Sequence, residues 1–150
     1  MSELTAEQLC GAWTLLEWRI EYDDGREPTY PFGRDALGLL VYDRSGWMSA
    51  TMSRRRRTPL SAPSAMAATA ASRAQALHEY FAYTARWHIE GGRIVHRIET
   101  SLNPILIGTL QVRDPSLDGA TLELRAHEST APNDERAQRR CHVIAWRKQS

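Results

Sequence analysis

The sequence predicts an all-β domain, an eight-stranded or slightly larger up-and-down antiparallel β-barrel with a short α-helix between the third and fourth strands. Three observations predict it. Short apolar or alternating segments recur along the chain, separated by turn signals such as Asp23-Asp24-Gly25, Gly91-Gly92 and Asp118-Gly119. One stretch alone, rich in Ala, has helical composition. Eight strands joined mainly by short turns must bury one face, either as a sandwich or as a sheet closed on itself, and up-and-down order favours the closed barrel.

The first strand covers residues 11–22 and ends at Asp23-Asp24-Gly25, where Gly supplies positive φ. Residues 28–35, with Pro31-Phe32-Gly33, read as a loop. Residues 36–42 and 47–53 form a hairpin across Asp43-Arg44-Ser45-Gly46, and residues 80–90 and 93–101 form another across Gly91-Gly92. Residues 108–113 and 121–126 flank Asp118-Gly119, and residues 139–147 close the chain. The helix is predicted from Ser64 to about His78, with Ser61 or Ser64 as cap and Met66 and Leu77 as its apolar contacts. It serves either to plug or flank one end of the sheet or as a lid over a ligand entrance.

With 150 residues the chain is about one domain long, and residues 1–150 are read as one domain. Nineteen basic and eighteen acidic residues give a net charge of +1, so charge does not steer the protein to nucleic acid or an anionic membrane. The N-terminal residues lack a signal-peptide pattern and no apolar run approaches a bilayer span, which points to a cytoplasmic protein without membrane insertion. Antiparallel pairing of the first and last strands would set Cys10 opposite the region of Lys148, on the order of 20 Å from Cys141, so free thiols are expected. No His-Glu-x-x-His, Cys-x-x-Cys, Gly-x-Ser-x-Gly or phosphate-cradling Gly loop is present, and no metal or cofactor is expected.

Strand alternation selects the candidate site. In the fifth strand Ile94, His96, Ile98 and Thr100 share one face, and Val95, Arg97, Glu99 and Ser101 the other. The charged set belongs in water, so His96 faces inward. In the fourth strand Tyr83 and Trp87 face inward and His88 outward; in the seventh, His127 faces outward. The first strand is ambiguous: Trp13 inside carries Leu15, Glu17 and Arg19 with it, whereas apolarity favours Leu16, Trp18 and Ile20, and a bulge would reconcile the halves. His142, on a last strand with two apolar faces, is open in the same way. His96, Tyr83 and a lumenal Glu17 would form an acid/base site, with Trp47, Trp87, Tyr42, Met52, Ile98 and His142 as ligand contacts. A structural hydrogen bond is the competing role for His96. Arg54-Arg55-Arg56-Arg57 reads as a solvated loop, and Arg113 and Arg147 as structural residues.

Leu9-Cys10-Gly11-Ala12-Trp13-Thr14-Leu15 is similar to the Gly-x-Trp signature that opens lipocalin barrels. With Pro31-Phe32-Gly33, the segments 38–42, 46–50, 80–83 and 95–113, and Ala145-Trp146-Arg147, the chain from about Leu9 to Arg147 resembles the bacterial and fungal lipocalin-like domain family. The resemblance implies a lipocalin-like barrel whose partner is a small hydrophobic molecule, with Trp13 packed inside the barrel floor and Arg113 or Arg147 covering it by a cation–π contact. Some small barrels of related shape isomerise or cyclise natural-product intermediates, so a cofactor-independent isomerase or cyclase is one expectation and a non-catalytic carrier or sensor the other. A homodimer is compatible with either, and so is a barrel filled by its own side chains. Glu17, Arg97 and the segment Pro104–Gly108 depart from the family pattern, so ligand specificity does not carry over.

Overall fold

A computed structural model describes residues 3–129 and 139–150. Eight strands form a closed antiparallel barrel in the order of the sequence: β1 (Gly11–Tyr22), β2 (Leu37–Tyr42), β3 (Trp47–Ser53), β4 (Tyr80–Glu90), β5 (Arg93–Ser101), β6 (Leu110–Asp118), β7 (Thr121–Ser129) and β8 (Arg139–Lys148). β1 closes the barrel on β8 from Trp13 opposite Lys148 to Tyr22 opposite Arg140. Cys10 thus lies near Lys148, and both cysteines are free thiols.

The closed end is a packed floor. A short helix, α1 (Ala6–Leu9), starts from a capping box of Thr5 and Gln8. It buries Leu9 completely and directs the Leu9 carbonyl to the Trp13 indole N–H at 2.9 Å. Lys148, not an arginine, covers the Trp13 ring, with Nζ 4.5 Å from its centre, and it also donates to the carbonyls of Gln8 and Cys10. Above them Leu40, Met48, Ala85, Ile94, Leu122, Leu124 and Trp146 fill the lumen from all sides.

Two bulges change the phase of the inward faces. Leu15 faces Trp146 and Glu17 faces Ala145, so Leu16 is the extra residue; beyond it Trp18 and Ile20 point inward opposite Ile144 and His142. In β5, Ile98 pairs with Ala85 and Thr100 with Thr84, so Glu99 is the extra residue. Thr100 therefore turns outward, contrary to simple alternation, and its hydroxyl meets that of Thr84 at 2.6 Å.

The loops of the open end position the rest. Phe32, in the β1–β2 loop, is buried edge-on against Trp18 at 4.9 Å, and Thr29 pairs back onto Ile20. The second helix, α2 (Ala70–His78), starts later than the predicted Ser64 because Thr69 is extended and its side chain accepts from the Ser72 N–H; residues 64–68 make a separate turn. No residue of α2 is buried, Met66 is 90% exposed rather than a packing contact, and the helix lies beside the start of β4 at the open end. Three of the four consecutive arginines act as ties: Arg54 donates to the Pro31 carbonyl, Arg55 to that of Asp35, and Arg57 to that of Ala76 at the end of α2. Buried Glu79 holds the same long loop, accepting from the Thr58 N–H and hydroxyl and from Gln75, each at 2.8 Å.

β6 extends past the predicted Arg113 to Asp118. Its first half pairs with β5, from Arg97 opposite Leu110 to Ile94 opposite Arg113, and its second half pairs with β7 from Asp114 opposite Arg125. Pro115 sits beyond the β5 pairing, so its missing N–H breaks no bond on that side. Residues 111–113 and 126–128 are not paired with each other, and the barrel opens sideways there. No helix among the described residues is long and apolar enough to cross a membrane.

Candidate functional site

His96 lies just above the floor and is 1% exposed. Both its ring nitrogens are engaged by tyrosines: the Tyr42 hydroxyl is 2.7 Å from Nε2 and the Tyr83 hydroxyl 2.8 Å from Nδ1. Burial, aided by the charge of Arg113, holds its pKa down at about 3, so the ring is neutral at physiological pH. Burial also pushes both tyrosine pKa values up, well up for Tyr42, while the Arg113 charge opposes the rise.

Above this trio the barrel is hollow. A cavity of about 610 Å³ is lined by Trp18, Met52, Phe81, Leu106, Ala126 and Ile144 on its apolar side and by Gln111, Arg113, Glu128 and His142 on its polar side, with Leu110, Val112 and His127 at the lateral opening. Arg113 points into it because its strand partner is the fully buried Ile94, as Gln111 partners His96. A smaller groove of about 390 Å³ shares Trp18 and Phe81 with the cavity and reaches the surface between Leu77 of α2 and Leu102.

The wall by the open end carries a second histidine in a defined state. The Trp18 indole N–H donates to His142 Nδ1 at 3.1 Å, and the two rings stack. An indole N–H only donates, so Nδ1 accepts and the neutral ring carries its proton on Nε2. That N–H donates to Glu128 Oε2 at 2.8 Å. Arg140 grips both oxygens of Glu128, at 2.8 and 3.1 Å, and this contact is the main cause of a lowered Glu128 pKa.

Of the candidates chosen from sequence, His96, Tyr83, Tyr42 and Ile98 are buried at the top of the packed floor and are not among the residues lining the cavity, whereas Met52 and His142 line it. Trp87 is buried lower down, its indole N–H on the Asp43 carbonyl at 3.0 Å. Two expectations are corrected. Glu17 does not share a lumen with His96: the bulge at Leu16 turns it to the outer face, where it pairs with Arg19 at 2.8 Å in a network that continues through Glu21 and Arg125 to Glu123. Trp47 is also outside, 40% exposed, with the Arg86 guanidinium 3.8 Å above its ring. His88 and His127 face outward as alternation expects, His127 against Asp114 at 3.1 Å.

Sequence reading missed Trp18 and Phe81 as lining residues, Glu128 as the partner of His142, and Arg113 as a cavity residue. For Arg113 a signal was present. Counting back from the Asp118-Gly119 turn puts Leu117, Pro115, Arg113 and Gln111 on one face, in phase with the inward Leu122 and Leu124 across the hairpin. Among the described residues no group of three or more His, Cys, Asp or Glu could hold a metal ion.

The model of a family described as a lipocalin-like domain matches residues 10–149. No curated protein and no solved structure matches the chain.

Proposed function

The chain belongs to the lipocalin-like domain family, and on that premise we propose that it binds a small, largely hydrophobic molecule inside its barrel as a carrier or sensor. The cavity of about 610 Å³ carries this reading. Its volume suits one small ligand, and most of its wall is apolar with a few polar groups, as small-molecule sites require. Access is available through the parted β6 and β7 strands.

The reading is tested with N-phenyl-1-naphthylamine, a neutral apolar dye whose fluorescence rises on burial. The protein is expected to bind it, and Ala126→Phe, which narrows the cavity, is expected to weaken binding while retaining its circular dichroism. A wild-type protein that does not bind the dye, or a narrowed variant that binds equally well, overturns the proposal.

A cofactor-independent isomerase or cyclase acting on a natural-product-like intermediate is the second reading, and His142 is the observation in its favour. Its tautomer is fixed by Trp18 and its Nε2 is backed by the Glu128 carboxylate on the cavity wall. His96 supports this reading less, because both nitrogens are occupied and the ring resists protonation down to about pH 3. A carrier returns its bound compound unchanged by chromatography and mass spectrometry. An isomerase or cyclase returns a rearranged product of the same mass, with slower conversion in His142→Gln.

A further inference from the structure

We propose that the open end of the barrel docks on the surface of an anionic lipid bilayer, with the exposed apolar side chains of the β5–β6 loop and Leu77 of α2 entering the headgroup layer and the arginines of the long loop before β4 facing the phosphates. The residues that decide this docking, Ile105, Ile107 and Arg56, do not line the cavity, so it stands or falls separately from the ligand reading.

The apolar half of the surface is concentrated in one loop. Residues 100–112 contain no ionisable side chain. Of the eleven large apolar side chains exposed among the described residues, five fall in this stretch: Leu102, Ile105, Ile107, Leu110 and Val112. Single exposed apolar residues are ordinary, but a cluster marks an interaction surface. Hydrogen bonds hold the loop in shape without burying these groups. The Asn103 side chain accepts from the Ile105 N–H, and the Thr109 hydroxyl donates to the Leu106 carbonyl at 2.6 Å. Leu106 thus lines the cavity while Ile105, 78% exposed, and Ile107 face water. Across the smaller groove from Leu102 and Pro104, the half-exposed Leu77 carries the apolar surface onto α2.

The charged half adjoins it. Residues 54–79 hold five arginines against one acid, Glu79, which is buried; they carry +4 of a chain whose total is +1, so the remainder carries −3. Arg55 meets Asp35 at 3.7 Å, whereas Arg54, Arg56, Arg57 and Arg73 form no ion pair among the described residues. Arg57 donates to the Ala76 carbonyl at 3.0 Å and lies 5.0 Å above the Tyr80 ring. Tyr80 and Leu77 line the same groove as Leu102 and Pro104, so the basic segment and the apolar loop form two sides of one rim.

Charge and shape together select the occupant. A second copy of the chain would set the same positive segment against itself across a two-fold axis. Residues 130–138 contain no large apolar side chain to cover the patch. A bilayer surface supplies phosphates for the arginines and an apolar layer beneath them for side chains that protrude singly, and each basic residue near an anionic surface strengthens binding about fivefold.

Flotation tests the docking, with vesicles of phosphatidylcholine and phosphatidylglycerol in equal parts and with vesicles of phosphatidylcholine alone. The protein is expected to float with the mixed vesicles at low salt, to float less at high salt as the charges are screened, and to stay behind with the neutral ones. The double variant Ile105→Ser, Ile107→Ser is expected to lower affinity for the mixed vesicles at least about tenfold. Arg56→Glu, which changes two charges, is expected to lower it roughly twentyfold. Both variants should keep the circular dichroism of the wild type, because neither side is buried in the barrel. A wild type that does not float with the mixed vesicles overturns the proposal, and so does either variant floating as well as the wild type. A dimer in sedimentation equilibrium that the two serines abolish would show a second copy covering the patch, and would overturn it as well.

Discussion

The Tyr42 hydroxyl lies 2.7 Å from His96 Nε2 and has no other hydrogen-bond partner among the described residues. With the Tyr83 hydroxyl 2.8 Å from Nδ1, it leaves the buried ring no free nitrogen. It also joins β2 to β5 across the barrel interior, so the trio contributes to the packing of the floor as well as to its polarity.

His96 should make stability depend on pH in a defined window. Its folded pKa is about 3, below the ordinary 6.5, so between these values the unfolded chain binds a proton that the folded chain does not. Stability is therefore full above pH 6.5 and falls as pH drops toward 3, by about 1.4 kcal/mol per pH unit for one proton. Urea unfolding from pH 7 to 5 should show this slope, and His96→Gln should flatten it. An unchanged slope in the variant would assign the effect elsewhere.

Glu79 should act at lower pH and in the same direction. Hydrogen bonds from Gln75 and from Thr58 hold its pKa down at about 2, against 4.5 for an ordinary carboxyl. Its contribution is present above pH 4.5 and is lost as pH falls through about 2. Melting temperatures measured across that range should fall less steeply for Glu79→Gln than for the wild type, and the variant should start lower at pH 7. A parallel pair of curves would remove Glu79 as the anchor of the long loop before β4.

Two buried tryptophans should respond differently to the same substitution. Trp13 donates its indole N–H to the Leu9 carbonyl, whereas Trp146 is equally buried and its Nε1 has no partner among the described residues. Phe at position 13 loses a bond and leaves a carbonyl unpaired, while Phe at position 146 removes an unpaired donor. Trp13→Phe should therefore be the costlier by about 1–3 kcal/mol in chemical denaturation. Equal losses would mean that the Trp146 N–H finds an acceptor in solution.

Gly38 should tolerate no side chain. A Cβ there would come within 2.7 Å of the Thr51 carbonyl oxygen and 3.0 Å of the Leu15 Cβ, both on strands that cannot yield separately. Gly38→Ala should destabilise by about 1–3 kcal/mol, as overpacking does. Gly25→Ala, with open space around its Cβ but a positive φ, serves as the comparison. Equal melting temperatures for Gly38→Ala and the wild type would show that β2 can move away from β3.

The number and order of strands were legible because turns are local. Gly91-Gly92, Asp118-Gly119 and Asp43-Arg44-Ser45-Gly46 each end one strand and begin the next, whatever the rest of the chain does. Facing was legible as far as alternation ran unbroken, which is why His96, Tyr83 and Trp87 are inside and His88 outside. Glu17 and Thr100 lie past the extra residues Leu16 and Glu99. A bulge is fixed by how two strands pair, and neither strand records it alone. The boundary of α2 failed for a smaller reason: Ser64 and Thr69 are both good caps, and the extended backbone at Thr69 decided between them.

The sequence by itself determined eight strands and a histidine on the inward face of the fifth, because period-two alternation and turn chemistry act between near neighbours; the choice of a barrel over a sandwich came with the family resemblance. Tertiary structure alone decided what that histidine does and where the ligand space lies. His96 is held by Tyr42 and Tyr83 from two other strands, and the cavity exists because β6 leaves β7 above Asp114 and turns Arg113 inward beneath Trp18 and Phe81. Each of these facts is a distance between strands far apart in the chain, set by register and packing around the whole barrel.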